Sequence, residues 1–372
     1  MIYLDNAATT KMYEELVDIY REYGCEKFFN PSSLYKQALD VSLEIRKAKA
    51  ELLEFFGSQA GDIIFTGSAT EANNLAIRGS LKKNSKLVIS AGEHPSVYNT
   101  ILDLKNNGVE CEIIPLKKDG QIDAEKLYNY ISQNNDARLV SVIHVSNETG
   151  AINNIKELVQ NVKKINPAIL FHSDGVQAFA KIDIKNLGVD IYSFSGHKIK
   201  GPKGIGGLFI KKGVRLNPII TGGGQENNLR SGTENVANII AFAKAAKIYA
   251  KQYDFNKMLE YKTTFLNILK EKVQDIVLTI QENNTMPHII SLIIPKIKGE
   301  TLLHIMESKG ILIGLGSACS SRSKSNRVLQ ALGYSSNLTE SSIRISFSPD
   351  NTLEEIKTAA NALAAAVLDF RK

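Results

Sequence analysis

The chain is sparing with cysteine, with long apolar runs and with clustered charge, and each shortage excludes a class of protein. Its three cysteines, Cys25, Cys111 and Cys319, lie far apart and are odd in number. That pattern rules out a disulfide framework and a CxxC zinc or redox pair. The longest apolar stretches, such as residues 289–294, fall far short of the roughly 20 residues a membrane helix needs. The opening Met1-Ile2-Tyr3-Leu4-Asp5 has no basic region leading an apolar run, so a cytoplasmic protein without a membrane partner is expected. The densest basic groups are pairs such as Lys82-Lys83 and Lys211-Lys212, and the net charge of +6 is spread over 372 residues. Direct nucleic-acid binding has no support from such a charge pattern. No Pro-rich linker, low-complexity tract or internal repeat is visible.

What is present is an ordinary globular composition, 43% hydrophobic and 23% charged, with length enough for about two domains. From about residue 11 to 253, short β-branched runs alternate with longer amphipathic stretches, the pattern of βα units on a mostly parallel sheet. Seven candidate strands fall at 63–66, 86–90, 110–115, 138–144, 169–172, 191–195 and 205–210. Their nearly continuous apolar character predicts strands covered on both faces, with helices over 71–82, 96–106 and 155–165 between them. Two long helical stretches, 235–252 and 255–275, precede runs at 289–294, 311–313 and 342–347 interleaved with helices. The expected fold is therefore α/β, a seven-stranded sheet in a large domain over 15–255. A smaller α+β domain is expected from 1–14 and 256–372.

Three segments carry residue types suited to chemistry. The first, Thr66-Gly67-Ser68-Ala69-Thr70-Glu71, follows a strand and opens a helix. Its small residues, hydroxyls and free N–H groups would cradle a phosphate, although a merely capped helix reads the same way. The second begins at Asp174, placed at the carboxyl end of a strand, where α/β proteins bind ligands. The next strand leads into Ser195-Gly196-His197-Lys198. A lysine at one strand end and an aspartate at the neighbouring one is the arrangement a pyridoxal phosphate enzyme requires: an amine for the aldehyde and an acid for the pyridinium nitrogen. The third, from Gly314 to Asn326, is small and polar with Cys319 at its centre and Arg322 and Lys324 close by to favour thiolate. A reactive loop cysteine is the expectation there, whereas Cys111, inside a strand, reads as structural. Arg344 sits on the 342–347 strand, either as a solvent-facing residue or as a fork for a substrate carboxylate.

Together with Asn6-Ala7-Ala8-Thr9, Glu93-His94, Ser146-Asn147-Glu148-Thr149-Gly150 and Arg230-Ser231-Gly232-Thr233-Glu234, these motifs resemble, nearly end to end, the cysteine desulfurases. Those are fold type I pyridoxal phosphate enzymes of the class V aminotransferase group. The resemblance implies that Lys198 is the Schiff-base lysine, that Asp174 pairs with the pyridine nitrogen and that Gln177 meets the ring hydroxyl. It implies that His94 stacks on the cofactor and moves protons, that Ala69, Thr70, Ser195 and His197 bind its phosphate, and that Thr233 reaches the phosphate of the partner in a homodimer. Asn147 and Arg344 match substrate carboxylate contacts, and Cys319 matches the sulfur acceptor. The implied reaction turns L-cysteine into L-alanine and passes a persulfide sulfur to an acceptor protein, an iron–sulfur scaffold or a tRNA thiolation enzyme. The chain departs from many relatives in having Ser348-Pro349-Asp350 after Phe347 and Ser146 before Asn147.

Overall fold

Residues rich in Val, Ile, Leu and Phe form twelve strands among the described residues. They are β1 Ile2–Leu4, β2 Gly61–Thr66, β3 Lys86–Ser90, β4 Glu110–Ile114, β5 Ala137–Ser141, β6 Leu170–Asp174, β7 Ile191–Ser195, β8 Gly206–Lys211, β9 Val277–Leu278, β10 Ile289–Ile293, β11 Ile311–Ile313 and β12 Ser342–Ser346. The computed structural model describes residues 1–82, 84–281, 284–316 and 326–371.

Seven strands form one sheet in the order β2-β8-β7-β6-β5-β3-β4. The pairs from β7 through β6, β5 and β3 to β4 are parallel, and β8 runs antiparallel to both β2 and β7. Alternate residues of one strand enter different cores: Leu170, Ile191 and Leu208 join one cluster, while Phe171, Tyr192 and Phe209 join the other. That double burial is why these strands read as continuous apolar runs. Helices Ala69–Gly79 and Pro95–Asn106 cover one face with Ala72, Leu75, Val97 and Ile101. Helices Ala124–Gln133, Ile155–Ile165 and Val236–Gln252 cover the other.

Beyond these, β9, β10 and β12 make a three-stranded antiparallel sheet. The N-terminal β1 pairs in parallel with β11, so the first residues join the C-terminal segment. Helix Leu353–Phe370 starts with a capping box in which the Thr352 side chain accepts from the Glu355 N–H and the Glu355 side chain accepts in return.

Several boundaries differ from expectation. The 138–144 run ends as a strand at Ser141, because beyond it the chain becomes a loop whose Val142 and His144 N–H groups bond the carbonyls of His172 and Asp174. The 71–82 helix starts earlier, at Ala69, because the Ser68 side chain caps it by accepting from the Glu71 N–H. Helix Lys36–Leu53 was not singled out in the sequence; it buries Val41, Ile45 and Leu52 yet exposes Leu39 and Leu43, and two apolar faces blur the period. Among the described residues no helix is long and apolar enough to cross a membrane.

Candidate active site

The parallel register of β6 and β7 sets Asp174 opposite Ser193. Two residues later β7 ends at Ser195, and a short 3-10 turn, Gly196–Lys198, brings Lys198 back over the strand ends. Asp174 and Lys198 thus face one cavity of about 320 Å³, shared with Ser68, Ala69, Thr70, Asn73, His94, Asn147, Glu148, Gln177, His197 and Arg344. The Asp174 carboxylate accepts from Asn73 Nδ2 at 2.8 Å and from the Val176 N–H at 3.1 Å. Lys198 Nζ donates to the carbonyls of Ala7 at 2.6 Å and Ala8 at 2.5 Å.

His94 caps helix Pro95–Asn106, its Nδ1 accepting from the Ser96 N–H at 3.2 Å. Burial lowers its pKa first, with Lys198 and two arginines adding to the effect and Asp174 opposing it, so the neutral imidazole is favoured. His197, whose Nδ1 lies 3.1 Å from Thr9 Oγ1, is pushed down to about 3 by burial and neighbouring lysines. Below the wall, Glu93 accepts from Ser90 Oγ at 2.5 Å and the Ile143 N–H at 2.6 Å, and its burial raises its pKa to about 8.

The residues fit pyridoxal phosphate. Ser195 Oγ and Gln177 Oε1 are buried without a hydrogen-bond partner, an arrangement that natural structures rarely leave unfilled. Gly206 opposes Ser195 across the sheet, and a Cβ on it would stand 2.5 Å from the Ser68 carbonyl carbon and 2.6 Å from the Ala69 nitrogen. The glycine therefore lets the strand press against a helix N-terminus whose N–H groups and dipole favour an anion.

Opposite this wall lies a corner assembled from loops and the small sheets. Arg344, only 2% exposed, is not the solvent-facing residue its strand alone would allow. Its two Nη atoms donate to the Asn147 carbonyl at 2.9 Å and Asp5 Oδ1 at 2.8 Å, while Nε stays unpartnered. Asn147 Nδ2 donates to Glu148 Oε1 at 2.9 Å.

Thr233 stands apart. It is exposed and lines a second cavity of about 210 Å³ with Thr66, Gly67, Arg230 and Glu234. Cys319 lies outside the described residues. Cys111 is buried in β4, with burial pushing its thiol up to about 11, as its strand position predicted. Three participants carried no role in the sequence: Asn73 behind Asp174, Asp5 beside Arg344, and Glu148. Asn73 was detectable as a polar residue one helical turn into the cradle helix, on its buried face. Asp5 and Glu148 had no such local signal.

The sequence pattern of the family described as Aminotransferase class-V matches residues 2–358. The chain is 33% identical over 379 residues to the cysteine desulfurase IscS of Dictyoglomus turgidum, covering 100% of this chain and 95% of that one. It is 34% identical over 385 residues to the cysteine desulfurase IscS 1 of Archaeoglobus fulgidus, covering 100% of this chain and 98% of that one. Among solved structures, a NifS-like protein superposes with a TM-score of 0.90 at 30% identity, with 99% of each chain covered.

Proposed function

The chain belongs to the class V aminotransferase family, and from that premise we propose that it is a pyridoxal phosphate-dependent cysteine desulfurase. The observation that carries the reading is the convergence of an amine, Lys198, a carboxylate, Asp174, and a buried guanidinium, Arg344, on one cavity. In net terms L-cysteine and the Cys319 thiol give L-alanine and a Cys319 persulfide. The acceptor of that sulfur is a protein, an iron–sulfur scaffold or a tRNA thiolation enzyme.

When bound, the cofactor supplies an electron sink for the pair left at the substrate Cα. Every other task falls to the chain's own side chains and backbone groups. Asp174 keeps the ring nitrogen protonated, Gln177 meets the ring hydroxyl, and Ala69, Thr70, Ser195 and His197 hold the phosphate. Lys198 would provide the attachment amine and would hold and return the Cα proton at Nζ; the Ala7 and Ala8 carbonyls offer its ammonium form a resting place. His94, favoured neutral by burial, would accept or pass a proton in the same cavity. Arg344 and Asn147 hold the substrate carboxylate.

Thr233 serves the cofactor phosphate of a second copy in a homodimer. Support comes from its exclusion from the main cavity and from the exposed apolar row Leu34, Tyr35, Leu39 and Leu43. Leu39 and Leu43 lie on helix Lys36–Leu53, with Leu34 and Tyr35 just before it, and Lys49 of the same helix pairs with Glu226, which lines Thr233's cavity. Residues 15–255 form the large cofactor domain, and 1–14 with 256–372 the small one. A reducing cytoplasm suits a chemistry that needs a free thiolate.

Single-turnover incubation of the purified holoprotein with L-cysteine tests the reading, against Cys319→Ala. A bound chromophore, stoichiometric alanine and a persulfide mass increment at Cys319 are expected, the increment absent in the variant. Keto-acid product without persulfide would overturn the desulfurase in favour of an aminotransferase.

A further inference from the structure

Glu148 lines the active cavity without a part in the proposed chemistry. Both of its carboxyl oxygens are taken by amides: Oε1 accepts from Asn147 Nδ2 at 2.9 Å, and Oε2 accepts from Asn326 Nδ2 at 3.0 Å. The second amide's orientation is fixed by chemistry, because Asn326 Oδ1 accepts from the Leu329 N–H at the start of helix Arg327–Ala331, and a backbone N–H can only donate. Gly316 closes the third side. A Cβ there would stand 2.6 Å from Asn326 Nδ2 and 3.1 Å from Glu148 Oε2. Burial pushes the Glu148 pKa up, and Arg344 first, then the two amides and Arg327, push it back down.

From this geometry we infer that Glu148 is a positioning residue: it fixes the rotamer of Asn147 so that one Nδ2 hydrogen faces Glu148 and the other faces the substrate carboxylate. This rests on the reading that Asn147 takes that carboxylate. A carboxylate can accept from both asparagines at once, whereas a glutamine has one acceptor and one donor and must turn one asparagine amide around. Glu148 thereby makes selection for an α-carboxylate depend on Asn326 as well as on Arg344.

The test is a donor–acceptor exchange. Glu148→Gln should weaken binding of L-alanine, followed through the absorbance of the bound cofactor, about tenfold, the scale of one lost charge-assisted hydrogen bond. KM for L-cysteine should rise by a similar factor and kcat by far less, and binding of ethylamine, which lacks the carboxylate, should not change. Adding Asn326→Asp lets residue 148 donate to residue 326 and accept from Asn147, while aspartate still caps Leu329. The double variant should return L-alanine affinity to within about twofold of the original protein. Unchanged L-alanine affinity in Glu148→Gln, a loss the second substitution does not reverse, or an equal loss with ethylamine would overturn the inference. Failure of sulfur transfer in the unaltered protein would sink the desulfurase reading and leave L-alanine binding to judge Glu148.

Discussion

Asp174, Ser195 and Lys198 come from the ends of adjacent strands of one sheet, whereas Arg344, Asn147, Glu148, Asp5 and Asn326 meet from segments scattered along the chain. The wall is positioned by parallel register, with Lys198 leaning on backbone carbonyls and Asp174 on Asn73 of the covering helix. In the corner every group is a partner of another group. A substitution in the wall therefore chiefly removes a chemical function, whereas one in the corner disturbs several buried partners at once.

The largest expected effect breaks the corner. Arg344→Lys replaces a fork whose two Nη atoms reach Asp5 and the Asn147 carbonyl by an ammonium that presents all its donors from one nitrogen and loses that two-armed geometry. Steady-state kinetics should show KM for L-cysteine raised about a hundredfold, with an unfolding midpoint lowered as well. A normal KM would mean that the corner does not read the carboxylate.

The wall should instead announce itself through pH. His172 is held between Ser141 Oγ at 2.8 Å and Ser193 Oγ at 2.9 Å, and His144 Nδ1 meets Tyr192 OH at 2.8 Å. Burial pushes their pKa values down, to about 3 and about 4. The unfolded chain then binds more protons below pH ~6.5, so the stability these neutral rings provide is full above that value and lost as pH falls towards 4. Each should cost about 2 kcal/mol between pH 6.5 and 5. Glu93, raised to about 8, titrates in the opposite sense, its contribution being full below the ordinary carboxylate range and lost as pH rises towards 8. Comparison with His172→Gln isolates the ring. The apoprotein's urea midpoint should depend less on pH in the variant, and an equal dependence would show that His172 is not held neutral.

The smallest effect on the fold is expected at Leu39, on the surface proposed to carry the homodimer, which belongs to neither region. Leu39→Asp should convert a dimer to monomers in sedimentation velocity. The fold of each monomer should change by only about 0.5 kcal/mol, since Leu39 is 51% exposed. A dimer that survives the charge would place the interface elsewhere.

The wall was legible in the sequence because its logic is short-range. A strand buried on both faces is a continuous apolar run, and the residue at its carboxyl end is exposed to ligand by the architecture itself, so Asp174 and Lys198 could be placed without knowing the sheet order. The cradle was legible for the same reason: a hydroxyl, a small residue and a glutamate mark a helix start. Arg344 was read only as an alternative. Its strand, Ser-Ile-Arg-Ile-Ser, alternates like one with a solvated face, yet both faces are covered and the arginine is buried.

By itself, then, the sequence determined the α/β alternation, the strand-end aspartate and lysine, the capped helix start after β2 and the family resemblance, because each is encoded within a few residues of one element. Tertiary structure alone decided that β1 pairs with β11, that Asp5 meets Arg344, that Asn73 stands behind Asp174, and that Glu148 joins Asn147 to Asn326. Those pairings depend on which distant segments the hydrophobic cores bring together, and no local period records which buried donor will find which acceptor.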